Sequence, residues 1–249
     1  AAAARAVAAP APAPPRSARD LTGVWGYNKR GVQATAQGAS TPFFGRDANL
    51  VNFETDFAVL ERSDENMPLY KPEYWEMIRQ KHYHGIGDDP VFTCKPAGVP
   101  RMGPPQKIVQ DGDMLVFLYA GAADTWRMIP TDGRKLTDEQ LGDATWKGYS
   151  SGRWDGDTLV IESKAFNDQS WLGWAGWVHS MDMVVTEKLW RVGDTLHWQA
   201  TVDDTMLISP WTTHEETRQL NPDRMTWFWE SPPCIEYDLE HIVDKDVRG

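Results

Sequence analysis

Residues 152–163 read GRWDGDTLVIES, and this stretch decides the fold. Gly156 supplies the positive φ that a tight hairpin turn demands, and Asp157 offers a carboxylate to the local backbone donors. The flanks, with Trp154 before the turn and Val160 and Ile161 after it, carry the aromatic and β-branched residues that favour strands. The same unit recurs as KIVQDGDMLVFLYAG around Gly112-Asp113 and as KLWRVGDTLHWQATV around Gly193-Asp194. A fourth turn is expected at Asn221-Pro222-Asp223. Successive hairpins describe an antiparallel meander, and spacings of 44 and 37 residues between the Gly-Asp turns are too irregular for a propeller repeat. The expected fold is all-β with few short helices, the meander closing into a lipocalin-like β-barrel, because closure leaves no exposed edge.

The chain of 249 residues carries 25 Lys and Arg against 36 Asp and Glu, a net charge of −11. No basic cluster stands out, so a nucleic-acid partner is not expected. No run approaches the roughly 18–20 apolar residues of a membrane helix. Residues 1–19, an Ala/Pro-rich run without an acidic side chain, read as a disordered tail, and residues 20–249 as a single barrel domain. Such Ala-rich runs border cleavage sites of exported proteins, which points to a periplasmic or secreted location. Cys94 and Cys234 fit either one disulfide or two buried thiols. A homodimer is compatible with the sequence.

Helical signals are few. Residues 72–81, PEYWEMIRQK, open with Pro, place Glu73 and Glu76 early and Arg79 and Lys81 late, and align Tyr74, Trp75 and Ile78 on one stripe. Thr137 and Gln140 form a capping box over a short helical turn. Both segments are expected as lids or plugs on a β scaffold.

Leu21-Thr22-Gly23-Val24-Trp25 gives a Gly-x-Trp opening similar to that of lipocalin-type barrels, whose Trp closes one barrel end. From Cys94 onward the motifs CKPAGVPR, TDGR at 131–134, GYSSGRWDGDTLVIESKAFNDQSWL at 148–172, HSMDMVVTEK at 179–188 and TVDD at 201–204 resemble a family of secreted bacterial β-rich proteins. That resemblance implies fold and compartment and, since most members have no assigned activity, not a chemistry. Thr205 stands where the family usually has Pro, and THEETR at 213–218 is more polar than the family's strand there.

Gly148-Tyr149-Ser150-Ser151-Gly152 matches the nucleophile elbow of α/β-hydrolases, but that elbow needs a helix after it and a hairpin follows here. A Ser150 nucleophile is therefore not expected. His82 and His84 would share a face of an extended segment near Asp88 and Asp89, yet further ligands are unspecified, and solvated loop histidines are the preferred reading. No metal is assigned. No phosphate loop, CxxC pair or HExxH occurs, and no cofactor is called for.

If residues 179–190 form one strand, His179, Met181, Met183, Val185, Glu187 and Leu189 share an inward face. An imidazole and a carboxylate on an apolar face need partners or a cavity. For Glu187 the expected partner is Arg127 or Arg153, with contact to a ligand as the functional alternative. His214, Glu216 and Arg218 read as a solvated edge strand in preference to a polar cavity wall, and Asp203 and Asp204 as turn caps.

The 13 Trp residues exceed what such a core needs, and Trp171, Trp174 and Trp177, then Trp227 and Trp229, form clusters suited to a flat organic ligand. The leading functional expectation is a cofactor-independent lyase acting by general acid and base catalysis on a small hydrophobic, aromatic molecule of phenolic, lignin-like type. His179 would move the proton, with Asp168 as its orienting partner or the opposite acid. Tyr119 and Arg127 would anchor a substrate oxygen, while Trp171, Trp174, Trp227, Asn167 and Glu187 would line the site. The alternative is a lipocalin-like carrier or sensor of the same molecule. A barrel filled by side chains and without a ligand is the bland third reading.

Overall fold

Each of the three Gly-Asp pairs turns a hairpin in the computed structural model, which describes residues 17–26, 66–84, 87–120, 125–173 and 176–221. The strands are β1 (Gly23–Gly26), β2 (Lys107–Asp111), β3 (Met114–Tyr119), β4 (Thr125–Pro130), β5 (Tyr149–Asp155), β6 (Thr158–Lys164), β7 (Val184–Val192), β8 (Thr195–Asp203), β9 (Trp211–Thr212) and β10 (Glu216–Leu220). Gly112, Gly156 and Gly193 take φ of 56°, 59° and 58° between β2 and β3, β5 and β6, and β7 and β8. Only glycine adopts this conformation without a Cβ penalty.

The pairings between these strands are antiparallel, in the order β4-β3-β2-β1-β10-β8-β7-β6-β5, with β9 added on β8. The two ends of that order meet. Gly133 N–H donates to the Gly152 carbonyl at 2.9 Å, and Asp132 bridges Arg153, so the sheet nearly closes into a barrel as expected. Near-closure leaves little strand edge open to further pairing.

Strand parity sets the interior. Leu115, Phe117 and Tyr119 of β3, Leu159 and Ile161 of β6, Val185 and Leu189 of β7, and Leu196, Trp198, Ala200 and Val202 of β8 are buried. Register keeps them on one face, with Phe117 opposite Ile108, Leu189 opposite both Leu159 and Trp198, and Val185 opposite Val202. Each large apolar side chain so buried contributes about 1.5–3 kcal/mol. At the hairpin-turn end, fully buried Trp25 donates its indole N–H to the Leu21 carbonyl at 2.8 Å, and Arg191 lies 5.6 Å from its ring centroid.

The opposite end carries the long connections. Tyr70 bridges Leu207 and donates its hydroxyl to the Val178 carbonyl at 2.6 Å, while Trp177 packs edge-on against Trp211. A 3-10 turn, Pro72–Tyr74, leads into the helix Trp75–His84, which buries Ile78. The helix runs past Lys81 through both histidines, so His82 and His84 are helical rather than loop residues. Trp75 is 55% exposed and off the expected stripe, its indole N–H reaching the Tyr70 carbonyl at 2.9 Å. The capping box of Thr137 and Gln140 forms as expected, over the helix Asp138–Gly142.

Two strand expectations need correction. β7 begins at Val184, not His179, because Ser180 and Asp204 organise a turn first: Asp204 accepts from the Ser180 N–H at 2.9 Å and from the Met206 N–H at 2.8 Å. Met181 consequently points outward at 57% exposure, whereas Met183, Val185, Glu187 and Leu189 face in as expected. Asp204 is thus the turn cap foreseen. Residues 216–218 are not a solvated edge, since β10 pairs with β1 on one side and β8 on the other, and Glu216 and Arg218 are buried in an ion pair at 3.0 Å.

Cys94 is disulfide-bonded. The expected turn at residues 221–223 beyond Asn221, and Trp174, Trp227, Trp229 and Cys234, lie outside the described residues. Among the described residues, no helix is long and apolar enough to cross a membrane.

Candidate functional site

β4 places Arg127 opposite Phe117 in β3, and β7 places Glu187 between Ile161 and Ala200, so both charged side chains enter the barrel. They meet as a two-pronged pair: Arg127 Nη1 donates to Glu187 Oε1 at 3.0 Å and Nη2 to Oε2 at 2.5 Å. Nη1 also reaches the Tyr119 hydroxyl at 3.3 Å, and Nη2 reaches Ser150 Oγ at 3.0 Å and Ser163 Oγ at 3.1 Å. Trp198 completes the set by donating its indole N–H to Glu187 Oε1 at 3.0 Å.

Taking two charges out of water is costly, and fork-to-fork geometry with extra hydrogen bonds is what offsets that cost. Burial works against the Arg127 cation, but Glu187 beside it holds its pKa above the ordinary value. Burial pushes the Tyr119 phenol well up, so it is a neutral hydroxyl at any physiological pH. Two donors are left over. Arg127 Nε is buried without a hydrogen-bond partner, and the Tyr119 hydroxyl proton has no acceptor among the described residues. Buried N–H groups are nearly always paired, so this one calls for an acceptor.

His179 sits in the connection between β6 and β7, 3% exposed. Its Nδ1 lies 2.9 Å from the Ser180 carbonyl oxygen, an acceptor only, so Nδ1 carries the proton. Nε2 is then the acceptor for Ser170 Oγ at 2.8 Å. Burial pulls the imidazole pKa down, opposed by the Ser180 carbonyl and by the charges of Asp204 and Asp168. Phe166 covers the ring edge-on at 6.2 Å. Ser170 is fully buried, and Gly98, at φ 76°, presses against it so closely that a Cβ there would collide with the serine side chain.

No family model matches the chain, and no similar curated protein or solved structure was found. The candidate site therefore rests on its own geometry.

The structure brings Tyr119, Arg127 and Glu187 together and selects Arg127 over Arg153 as the partner of Glu187. His179 belongs to a separate group, with no hydrogen bond or ion pair linking the two among the described residues. Asp168 is exposed and acts on His179 only through its charge. Asn167 is half-buried in a turn, its Oδ1 accepting from the Gln169 N–H at 3.2 Å. Trp171 is buried and bridged to Val178. Among the described residues, no group of three or more His, Cys, Asp and Glu side chains has the arrangement of a metal site.

Ser150 lies on β5, followed by the hairpin, and serves Arg127 and Ser163. It accepts from Arg127 and shares a hydroxyl–hydroxyl bond with Ser163 at 2.9 Å. Ser163, Ser170 and Trp198 were not singled out by the sequence. Strand parity marks Ser163 and Trp198 as inward, but a partner 36 or 11 residues away leaves no local signal.

Proposed function

We propose that the barrel binds a small hydrophobic, aromatic molecule bearing an oxygen acceptor, and that it acts as a lipocalin-like carrier or sensor of that molecule. The unpaired, buried Arg127 Nε, on a guanidinium whose Nη1 meets the neutral Tyr119 hydroxyl, is the observation that carries this reading. A phenolic oxygen or carbonyl would satisfy such donors, and the apolar interior around them suits an aromatic body. The disulfide at Cys94 supports a periplasmic or secreted setting.

The lyase reading stands second, on one feature. The Ser180 carbonyl fixes the His179 tautomer so that Nε2 can take a proton from Ser170, the orientation a general base requires. Against it stands the enclosure of both side chains, since a base must reach the proton it abstracts. Incubation with guaiacol, vanillin and ferulic acid, followed by tryptophan fluorescence and mass spectrometry, separates the two. A carrier quenches saturably and returns every ligand intact, and His179→Ala leaves its affinity within about threefold. A new product mass, lost in His179→Ala with binding retained, would establish the lyase instead. Absence of any saturable response would overturn both.

A further inference from the structure

On the outer surface, away from the barrel interior, residues 133–136 run along β5. Gly133 N–H bonds the Gly152 carbonyl, and Ser151 Oγ donates to the Arg134 carbonyl. Between this segment, Leu141 and strands β5 and β6 lies a cleft of about 410 Å³, within the range of about 300–1,000 Å³ usual for small-molecule sites. Four cations line it, Arg134, Lys135, Arg153 and Lys164, against one carboxylate, Glu162.

The local surplus is positive on a chain whose net charge is −11. Two of the cations are engaged: Arg134 with Asp132 at 2.7 Å and Lys164 with Glu162 at 2.8 Å. Lys135 and Arg153 form no ion pair among the described residues. Leu136 and Leu141 give the cleft an apolar wall beside these charges. We infer that this cleft is a second binding site, for a small amphipathic monoanion whose carboxylate meets Lys135 and Arg153 and whose apolar body lies against Leu136 and Leu141. Charge-assisted hydrogen bonds would hold the carboxylate, and both cations, being exposed, give up little hydration until the apolar body closes over them. Glu162 is the carboxylate lining the cleft and Asp132 the one paired with Arg134, and pairing of Glu162 with Lys164 and of Asp132 with Arg134 keeps both from cancelling Lys135 and Arg153.

The test uses the full chain and 2-naphthoate, with neutral 2-naphthamide and inorganic phosphate as comparisons, read by calorimetry and by amide chemical shifts. Saturable 2-naphthoate binding is expected, with shifts at Gly133, Ser151 and Gly152. The double variant Lys135→Ala/Arg153→Ala should weaken it at least about tenfold, and 2-naphthamide should bind at least about tenfold more weakly than 2-naphthoate. Equal affinity for the acid and the amide, phosphate binding as tight as 2-naphthoate, binding undiminished in the double variant, or no binding at millimolar 2-naphthoate would each overturn the inference. Loss of barrel binding in an Arg127 variant leaves these shifts unchanged, so this site and the interior one fail separately.

Discussion

Arg127 and Glu187, 60 residues apart in sequence, face each other inside the barrel with both guanidinium prongs on both carboxylate oxygens. Removing one partner leaves the other charge buried and uncompensated. Glu187→Ala should therefore cost about 3–5 kcal/mol, whereas Arg127→Met/Glu187→Leu, which removes both charges at similar volume, should cost far less or nothing. Urea unfolding of the two variants checks this. A double variant as unstable as the single one would show that the pair does not act as a unit.

His179 is held neutral, its pKa below that of the unfolded chain because burial disfavours the cation. The unfolded state then takes up a proton that the folded state refuses as pH falls below the ordinary histidine value of about 6.5. The contribution of His179 to stability is full above that pH and declines on acidification towards the depressed folded pKa. Comparing wild type with His179→Gln between pH 7.5 and 5 should show a shallower decline for the variant. Parallel curves would contradict the assignment.

Gly98 abuts Ser170, and at φ 76° it occupies the left-handed region that favours glycine. Gly98→Ala should lower stability by more than the roughly 1 kcal/mol typical of substitutions, since backbone strain and a clash in a packed interior add. It should also displace Ser170 from His179, visible as a change in the His179 imidazole nitrogen shifts. An alanine variant with wild-type stability and shifts would refute the close packing described.

At the hairpin-turn end, Arg191 lies over Trp25, donates to the Asp20 carbonyl at 2.8 Å and reaches the Gly193 carbonyl at 2.6 Å. Arg191→Ala should lose about 1–3 kcal/mol from these contacts together. Trp25→Ala, which empties a fully buried site, should lose about 3–5 kcal/mol. Thermal unfolding gives the order of the two, and the reverse order would place the weight of this end on the arginine.

The hairpins were legible in the sequence because their signals are local: a glycine at a positive-φ position, an aspartate beside it, β-branched flanks. The same holds for the Thr137 and Gln140 capping box. Parity along β7 correctly turned Glu187 inward and named Arg127 among its two candidate partners. It failed at Met181 and began the strand too early at His179, because Asp204, more than 20 residues downstream, caps a turn and delays the strand. It failed again at Glu216 and Arg218: a polar alternation looks like a solvated edge until the partner strands on both sides are known. The Ser170–His179 contact was hidden for a related reason, since both residues lie in an irregular connection where no period relates sequence to facing.

The most direct measurement of the central claim is the affinity of wild type and of Tyr119→Phe for vanillin, whose phenol and aldehyde both carry acceptor oxygens, followed by intrinsic tryptophan quenching. Phenylalanine preserves the ring and removes the hydroxyl that meets Arg127 Nη1. Saturable binding by wild type and at least about tenfold weaker binding by the variant are expected, with unfolding midpoints close together. Equal affinities, or quenching by neither protein, would contradict the assignment of Tyr119 and Arg127 as the anchors of a ligand inside the barrel.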